Sequence, residues 1–408
     1  MKSFVNGVLV PMVIGAIAPC ALGAEWAIEP SIESRGTWTD NINHTPNVHD
    51  SVFSWSVGPR VTFARRTEAT EVAGTASLGI NRYPGNSGLD TEDASLSLAS
   101  QLREERNTYG LSAAYIRDST LQTELATTGI VQTRRQRDLA SLAPSWSYSL
   151  TERSSVFGQY RYDQARYQAG AGLNDYSNQQ GSGGYQYLLS ERTAATLSGS
   201  YSRYKTDDGS IRQNSYGVNI GLTHNLLERL TLAFGIGSRR TDTKITNTAT
   251  FCPFGPVIIC NTFGIPLETL TATSDTSSRG LSYNASADYK WEETTANFSA
   301  SRDINPTGSG LVVQTDRLSA GVSHQFNEKL SGNINAAWLV SRYIGGLSSD
   351  IDYYNLNTSL SWKLDNWWTA GTGYGFAYQK AKGAPDNASA NSVYLSISYN
   401  WPKISISR

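Results

Sequence analysis

The chain of 408 residues has little of what many functional classes require: it contains 3 cysteines, 2 methionines and 4 histidines. Its 34 basic and 35 acidic residues leave a net charge of −1, which gives no electrostatic reason to expect a nucleic-acid partner. Beyond the N-terminus, no apolar run approaches the roughly 18 residues that a membrane helix needs. There is no Gly-x-Ser-x-Gly elbow, and no histidine accompanies the acidic stretch Asp90–Asp93. We therefore expect no enzymatic activity, no cofactor and no metal site.

The N-terminus has the pattern of an export signal. Lys2 precedes an apolar stretch, and Ala21-Leu22-Gly23 supplies the small residues of a cleavage site. We predict a signal peptide over residues 1–23 and a mature chain, residues 24–408, that forms a single domain.

Short charged turns recur along the mature chain at a nearly constant spacing. Examples are Ala64-Arg65-Arg66-Thr67-Glu68, Leu150-Thr151-Glu152-Arg153 and Lys363-Leu364-Asp365-Asn366. Eight such turns follow one another at intervals of roughly 40 residues, apart from one interval near 64, and two runs of polar/apolar alternation lie between successive turns. Tight turns that alternate with longer loops are typical of a transmembrane β-barrel.

The turns also predict the number of strands. Eight turns contribute two flanking strands each, and one segment at either end of the mature chain adds two more. The expected fold is all-β: a transmembrane antiparallel up-and-down barrel of about 18 strands, or 16 or 20 if a long loop loses or hides a hairpin. Such a barrel belongs in the bacterial outer membrane, in contact with lipid, and depends on the barrel-assembly machinery.

Alternating side chains assign the two faces of the wall. Tyr216, Val218, Ile220 and Leu222 share one face of a strand, because side chains alternate with a period of two. We expect this apolar face to meet lipid, since a charge there costs about 2–4 kcal/mol at mid-bilayer. Aromatic residues next to the tight turns would form a girdle at the periplasmic interface. They are Phe63, Tyr148, Tyr187, Trp291, Phe326, Trp362 and Trp401.

The opposite face consists mainly of serine, threonine, asparagine, glutamine and glycine. Such a wall suits sugars, whose hydroxyl groups exchange hydrogen bonds with it, although small polar residues also simply fill a wet interior. The charged and aromatic residues of this face are the candidate lumen-lining residues. They are Arg161, Asp163, Tyr204, Asp288, Arg317, Tyr343, Tyr353 and Tyr394.

The longer connections, among them Ser119–Gln136, are predicted to lie on the outer surface. The longest, Thr241–Ser278, could be an external cap or could fold into the lumen as a constriction. It contains Cys252 and Cys260, which we expect to form a disulfide in the oxidising compartment that export implies.

Short motifs resemble a family of outer-membrane β-barrel proteins encoded with bacterial exopolysaccharide and PEP-CTERM gene clusters. They are Gly36-Thr37-Trp38-Thr39-Asp40-Asn41-Ile42, Gly58-Pro59, Ala143-Pro144 and Tyr399-Asn400-Trp401-Pro402-Lys403. The resemblance implies a porin-like barrel that serves as the exit conduit for a secreted polysaccharide and works with a periplasmic polysaccharide co-polymerase or export protein. Two other functions stay open: a general or sugar-selective diffusion porin, and a surface or adhesin protein for which the barrel is an anchor.

Overall fold

The computed structural model describes residues 25–46, 51–130, 134–168, 172–253, 260, 262–263, 266–344, 350–382 and 387–407. The predicted signal peptide, residues 1–23, lies outside the described residues. Among the residues that are described, none belongs to a helix long and apolar enough to cross a membrane.

Most of the described chain is β-strand, and a short α-helix, α1 (Thr123–Thr128), follows β5 in sequence. The strands of the first half are β1 (Glu25–Thr39), β2 (Val52–Arg66), β3 (Thr70–Arg82), β4 (Thr91–Arg103), β5 (Asn107–Ser119), β6 (Gln136–Thr151), β7 (Ser154–Tyr167), β8 (Tyr176–Ser190) and β9 (Thr193–Thr206). Those of the second half are β10 (Ile211–Leu227), β11 (Leu230–Phe251), β12 (Glu268–Lys290), β13 (Thr294–Pro306), β14 (Val312–Gln325), β15 (Leu330–Tyr343), β16 (Ile351–Lys363), β17 (Trp368–Ala381), β18 (Asn387–Asn400) and β19 (Ile404–Ser407).

The strands form one closed antiparallel barrel. Each strand from β1 to β18 pairs with its neighbours in sequence, and β1 closes the ring by pairing with β18, for example Trp38 with Val393. After Pro402, the four residues of β19 pair with the first four of β1, for example Ile406 with Trp26. The prediction of 18 strands in an up-and-down barrel is therefore confirmed, with β19 as a short addition.

The outer surface of the barrel is apolar. On β10, Tyr216, Val218, Ile220 and Leu222 are between 44% and 61% exposed, whereas Ser215 on the other face is 7% exposed. Exposure of this many large apolar side chains is expected only where lipid replaces water. Because only helices and closed barrels span a bilayer, this surface identifies a membrane-spanning barrel of the outer-membrane type.

The connection Thr241–Ser278 is neither a simple cap nor a lumen constriction. β11 and β12 continue far beyond the predicted boundaries at residues 240 and 279, and they stay paired up to Phe251 opposite Glu268. This extended hairpin rises beyond the rim of the barrel because its threonine-rich sequence favours strands. At its tip, Cys252 and Cys260 form a disulfide with their Cα atoms 5.7 Å apart.

The wall has a seam between β12 and β13, where the two strands stop pairing before they end. Their pairing runs from Lys290 opposite Thr295 to Tyr283 opposite Arg302 and ends there, although both strands continue. Above this point β13 and β14 stay paired with each other, up to Pro306 opposite Val312. The end of the β13–β14 hairpin thus separates from β12 in the outer half of the wall.

Paired substitutions on β10 test which face meets lipid. Ile220, 61% exposed on the apolar face near the middle of the strand, should not tolerate arginine, because a cation at the lipid surface costs about 2–4 kcal/mol near mid-bilayer. We expect Ile220→Arg to reduce the folded fraction in lipid vesicles, measured by the difference in gel mobility between heated and unheated samples. Asn219→Arg, one residue away on the opposite face, is the control and should fold like the unchanged protein. Equal folding of both variants would contradict the assignment of the faces.

Candidate functional site

Residues 120–130 of the connection between β5 and β6 fold into the bore of the barrel, and residues 134–135 precede β6; we call these described residues the inserted loop. The prediction that Ser119–Gln136 is an outer-surface loop is therefore wrong. Glu124, Leu125 and Thr128 of α1 are 2% exposed or less. Gly129 ends the helix with a positive φ of 67°, and a side chain there would come within 2.8 Å of the Tyr353 Cβ atom. The close approach of the loop to the wall therefore requires glycine at this position.

Apolar side chains seat the inserted loop on the wall. Leu125 packs against Leu339 and Tyr353 of β15 and β16. Ile130 packs against Val313 and Ile351 of β14 and β16, in a cluster that Tyr343 also contacts. Burying a leucine or isoleucine side chain stabilises the inserted position by roughly 1.5–3 kcal/mol relative to exposure. The lumen wall thus contains two apolar sites that only the loop fills.

Polar groups of the wall bind the carbonyl groups at the end of α1. Arg317 Nη2 donates to the carbonyl oxygens of Ala126 at 2.5 Å and Thr127 at 3.3 Å. The Ser341 hydroxyl donates to the Thr128 carbonyl, and Gln379 Nε2 donates to the Gly129 carbonyl at 3.0 Å. The last carbonyl groups of a helix have no partner within the helix, so β14, β15 and β17 satisfy groups that would otherwise require water.

We call the part of the bore that the inserted loop occupies the constriction. A buried carboxylate, Glu124, lies at its centre. Its oxygens accept hydrogen bonds from the Gly308 backbone N–H at 2.8 Å and the Tyr167 hydroxyl at 2.9 Å. Arg137 lies 3.6 Å from the same carboxylate and 3.2 Å from Asp118. Burial raises the pKa of Glu124, and the hydrogen bond from Gly308 and the charge of Arg137 oppose that rise. Closing the bore therefore places an acid in an environment that disfavours its charge.

The end of the β13–β14 hairpin, residues 303–314, also reaches into the bore; we call it the folded tip. It lies against β8, β9 and the connection that precedes β8. The Tyr204 hydroxyl donates to the Thr307 carbonyl at 3.3 Å, and the Asn174 N–H donates to the Gly308 carbonyl at 2.7 Å. Val312 packs in a buried cluster with Tyr176 and Tyr204. Gly308 thus joins the folded tip both to the opposite wall and to Glu124 of the inserted loop.

Below these two segments the bore is lined by small side chains. A cavity of about 560 Å³ in the periplasmic half is bordered by Ala27, Ala64, Ala73, Thr75, Ser97, Ala99 and Ser112. A second cavity of about 660 Å³, beneath the folded tip, is bordered by Ser145, Gln159, Gln180, Ser200, Ser202, Arg161 and Arg239. Hydroxyl and amide groups dominate this second wall, and they can both donate and accept hydrogen bonds.

On the outer side, a vestibule of about 1240 Å³ leads down beside the inserted loop. Its border includes the connection after β1, the connection between β3 and β4, both ends of the inserted loop and Gln379. Gln122 of the loop reaches Asp93 on β4, with 3.3 Å between Nε2 and Oδ2. The contacts of the loop described above involve β4, β6, β7 and β14–β17, so the vestibule lies toward β1–β3.

The structure places the eight predicted lumen residues in three kinds of surroundings. Arg161 pairs with Asp163 at 2.8 Å, and the Arg35 guanidinium lies 4.3 Å from the centre of the Tyr394 ring. Asp288 is exposed near the periplasmic end of β12. The other four contact the inserted segments. They are Tyr204, Arg317, Tyr343 and Tyr353.

The residues at the centre of the constriction, Asp118, Glu124 and Arg137, were not among the sequence candidates. Glu124 is one acid in a connection with no repeated pattern, and its partner Gly308 is 184 residues away. The sequence feature that could have indicated a buried loop was the presence of Leu125 and Ile130, two apolar residues in a segment predicted to be exposed.

Neither a comparison with protein-family models nor one with curated protein sequences finds a match to this chain. Among solved structures, the ferric-catecholate import receptor Fiu of E. coli K12 is 8% identical, with a TM-score of 0.47 over 91% of this chain and 81% of that chain. OccK8 (OprE) of Pseudomonas aeruginosa is 12% identical, with a TM-score of 0.45 over 92% and 98%. OccAB3 of Acinetobacter baumannii is 13% identical, with a TM-score of 0.43 over 93% and 99%. Similarity at this level assigns no function and no site.

The raised pKa of Glu124 predicts that the constriction responds to pH. The inserted loop holds a proton more tightly than a released, solvated loop, so insertion is most stable below the ordinary glutamate pKa and loses this stabilisation as pH rises through the raised value. We expect single-channel conductance in planar bilayers to increase between about pH 4 and about pH 8. Glu124→Gln, which stays neutral, should keep the low-pH conductance throughout. A conductance that rises toward low pH would contradict the prediction.

Proposed function

We propose that the protein is an outer-membrane channel for small polar solutes, in which the inserted loop sets the size limit. The observation that carries the proposal is the position of residues 120–130 inside the barrel, with Glu124 only 1% exposed. A barrel that served only as an anchor would have no need of donors such as Arg317 and Gln379 that hold a loop across its own bore. A channel that discriminates among solutes needs such a constriction.

The chemistry of the bore supports uncharged, hydroxyl-rich solutes such as small sugars. The wall beneath the folded tip carries serine and glutamine side chains, which exchange hydrogen bonds with sugar hydroxyl groups. Arg161 and Asp163 pair with each other at 2.8 Å, so neither presents an isolated charge to a solute. Weak contacts at several positions allow a solute to enter and to leave.

Polysaccharide export, the function that the resemblance implies, is a second candidate. It is favoured by the small side chains of the periplasmic half, where a polymer delivered by a co-polymerase or export protein would enter. A polymer could pass only if the inserted loop left its seat on β14–β17, since Leu125 and Ile130 occupy it. Export thus requires a displacement that passage of small solutes does not. Loss of the gene with unchanged secreted polysaccharide would exclude export.

Replacing residues 121–134 with a short glycine–serine linker tests the channel proposal. We expect the conductance in planar bilayers to rise several-fold and larger sugars to enter proteoliposomes, because the bore loses its narrowest part. The matched control removes residues 246–273 of the β11–β12 hairpin instead, which extend beyond the paired part of β10.

The hairpin deletion should leave conductance unchanged. An unchanged conductance in the loop variant, with normal folding, would show that the inserted loop does not limit passage. Absence of any conductance in both the loop variant and the hairpin variant would favour the remaining candidate, a surface or adhesin protein anchored by its barrel.

A further inference from the structure

Six cations occupy the outward face of β9–β12 near the outer rim; we call them the cationic patch. Each alternates along its strand with inward residues that are buried, such as Tyr204, Gln213 and Thr243, so the cations point away from the bore. The members of the patch are Arg203, Lys205, Arg212, Arg240, Lys244 and Arg279.

Several of these cations lie directly opposite one another on neighbouring strands. Arg212 on β10 is opposite Lys205 on one side and Lys244 on the other. On β11, four residues nearer the membrane than Lys244, Arg240 is opposite Arg279 on β12. Like charges directly opposite in an antiparallel pair repel one another and destabilise it. Three such pairs in one small area indicate that an anion compensates them.

The protein itself supplies only part of the compensation. Asp242 pairs with Arg240 at 3.0 Å, and Asp275 lies opposite Lys244. Asp207 and Asp208 lie in the turn between β9 and β10, so four carboxylates accompany six cations. Within the described chain, no ion pair joins a carboxylate to the other five cations of the patch. Two arginines elsewhere on the rim do have partners: Arg117 lies 2.6 Å from Asp138, and Arg342 lies 3.0 Å from Asp350. The patch therefore combines many clustered cations with few ion pairs.

The patch lies at the height of lipid headgroups. Directly beneath the central row of the patch, Lys205, Arg212 and Lys244, the outward rings of Tyr201 and Tyr216 are 5.2 Å apart, as in an interfacial aromatic girdle. Arg240 lies opposite Tyr216, at the level of that girdle. Ten residues of β10 separate Tyr216 from Leu226 near the tight turn, which corresponds to roughly 24 Å of height for a strand tilted by about 45°. Because this matches the apolar band of outer-membrane barrels, about 25 Å, the patch begins where the hydrocarbon ends on the side of the long loops.

We propose that the cationic patch binds the phosphate groups of an anionic glycolipid in the outer leaflet. Arginine forks bind phosphate oxygens through two parallel hydrogen bonds, and the neighbouring lysines add point charges. The tyrosine pair below offers ring faces and hydroxyl groups at the boundary between headgroup and acyl chains. On β12, Arg279 lies above the last pairing with β13, so a headgroup can approach it from the seam.

The test compares lipid binding by the folded, full-length mature protein and two variants. The triple variant Lys205→Gln/Arg212→Gln/Lys244→Gln removes the central row of the patch. Its control, Arg82→Gln/Arg117→Gln, removes rim arginines that have carboxylate partners. Binding of purified lipopolysaccharide is measured in detergent micelles, with dephosphorylated lipopolysaccharide and inorganic phosphate as separate probes. Folding is checked by gel mobility without heating.

We expect the triple variant to bind lipopolysaccharide at least about twentyfold more weakly, since each cation near an anionic surface contributes about 1 kcal/mol. The control should change little, and dephosphorylated lipopolysaccharide should bind the unchanged protein as weakly as the intact form binds the triple variant. Equal binding by the triple variant and the unchanged protein would overturn the proposal, and so would an equal loss in the control. Displacement of the lipid by equimolar inorganic phosphate would show a site for a free anion instead.

Discussion

The structure depends on the hydrogen bonds between β1 and β18. In hydrocarbon no water can satisfy a free backbone N–H or carbonyl group, so a sheet can cross a bilayer only if it has no edge there. The register from Ser31 opposite Asn400 to Thr39 opposite Ser392 removes both edges, and β19 extends the closure to the first residues of β1. The inserted loop, the folded tip and the cationic patch all take their positions from a wall that this pairing completes.

Closure also explains which parts of the fold could be predicted from the sequence. Wherever a strand has lipid on one side and water on the other, every second residue must be apolar, and this pattern located all eighteen long strands. The same reasoning failed for residues 241–251 and 268–278, because both faces of the extended hairpin are wet and its side chains do not alternate in polarity. The first six residues of β8, Tyr176–Gly181, likewise lack the alternation, since this segment is polar on both faces.

The constriction could not be predicted, for a different physical reason. Leu125 is held by Leu339 and Tyr353, and Glu124 by Gly308, all far away in sequence. No local period encodes such contacts, because they exist only after the barrel has brought opposite walls together. Arg317, Tyr343 and Tyr353 were predicted as charged or aromatic residues of the inner face, and their side chains contact the inserted loop or its seat, which the sequence did not indicate.

The seam between β12 and β13 would allow the folded tip a second position, in line with the wall. Above Tyr283 the edge of β12 has an unused ladder of backbone groups, and β13 carries a matching one from Asp303 onward. If the β13–β14 hairpin swung back into line, these ladders would join, and the new bonds would offset the loss of contacts with Tyr204 and Asn174. The same movement would withdraw the Gly308 N–H from Glu124. Closure of the wall and release of the constriction would thus be a single movement, coupled through the Gly308 backbone amide.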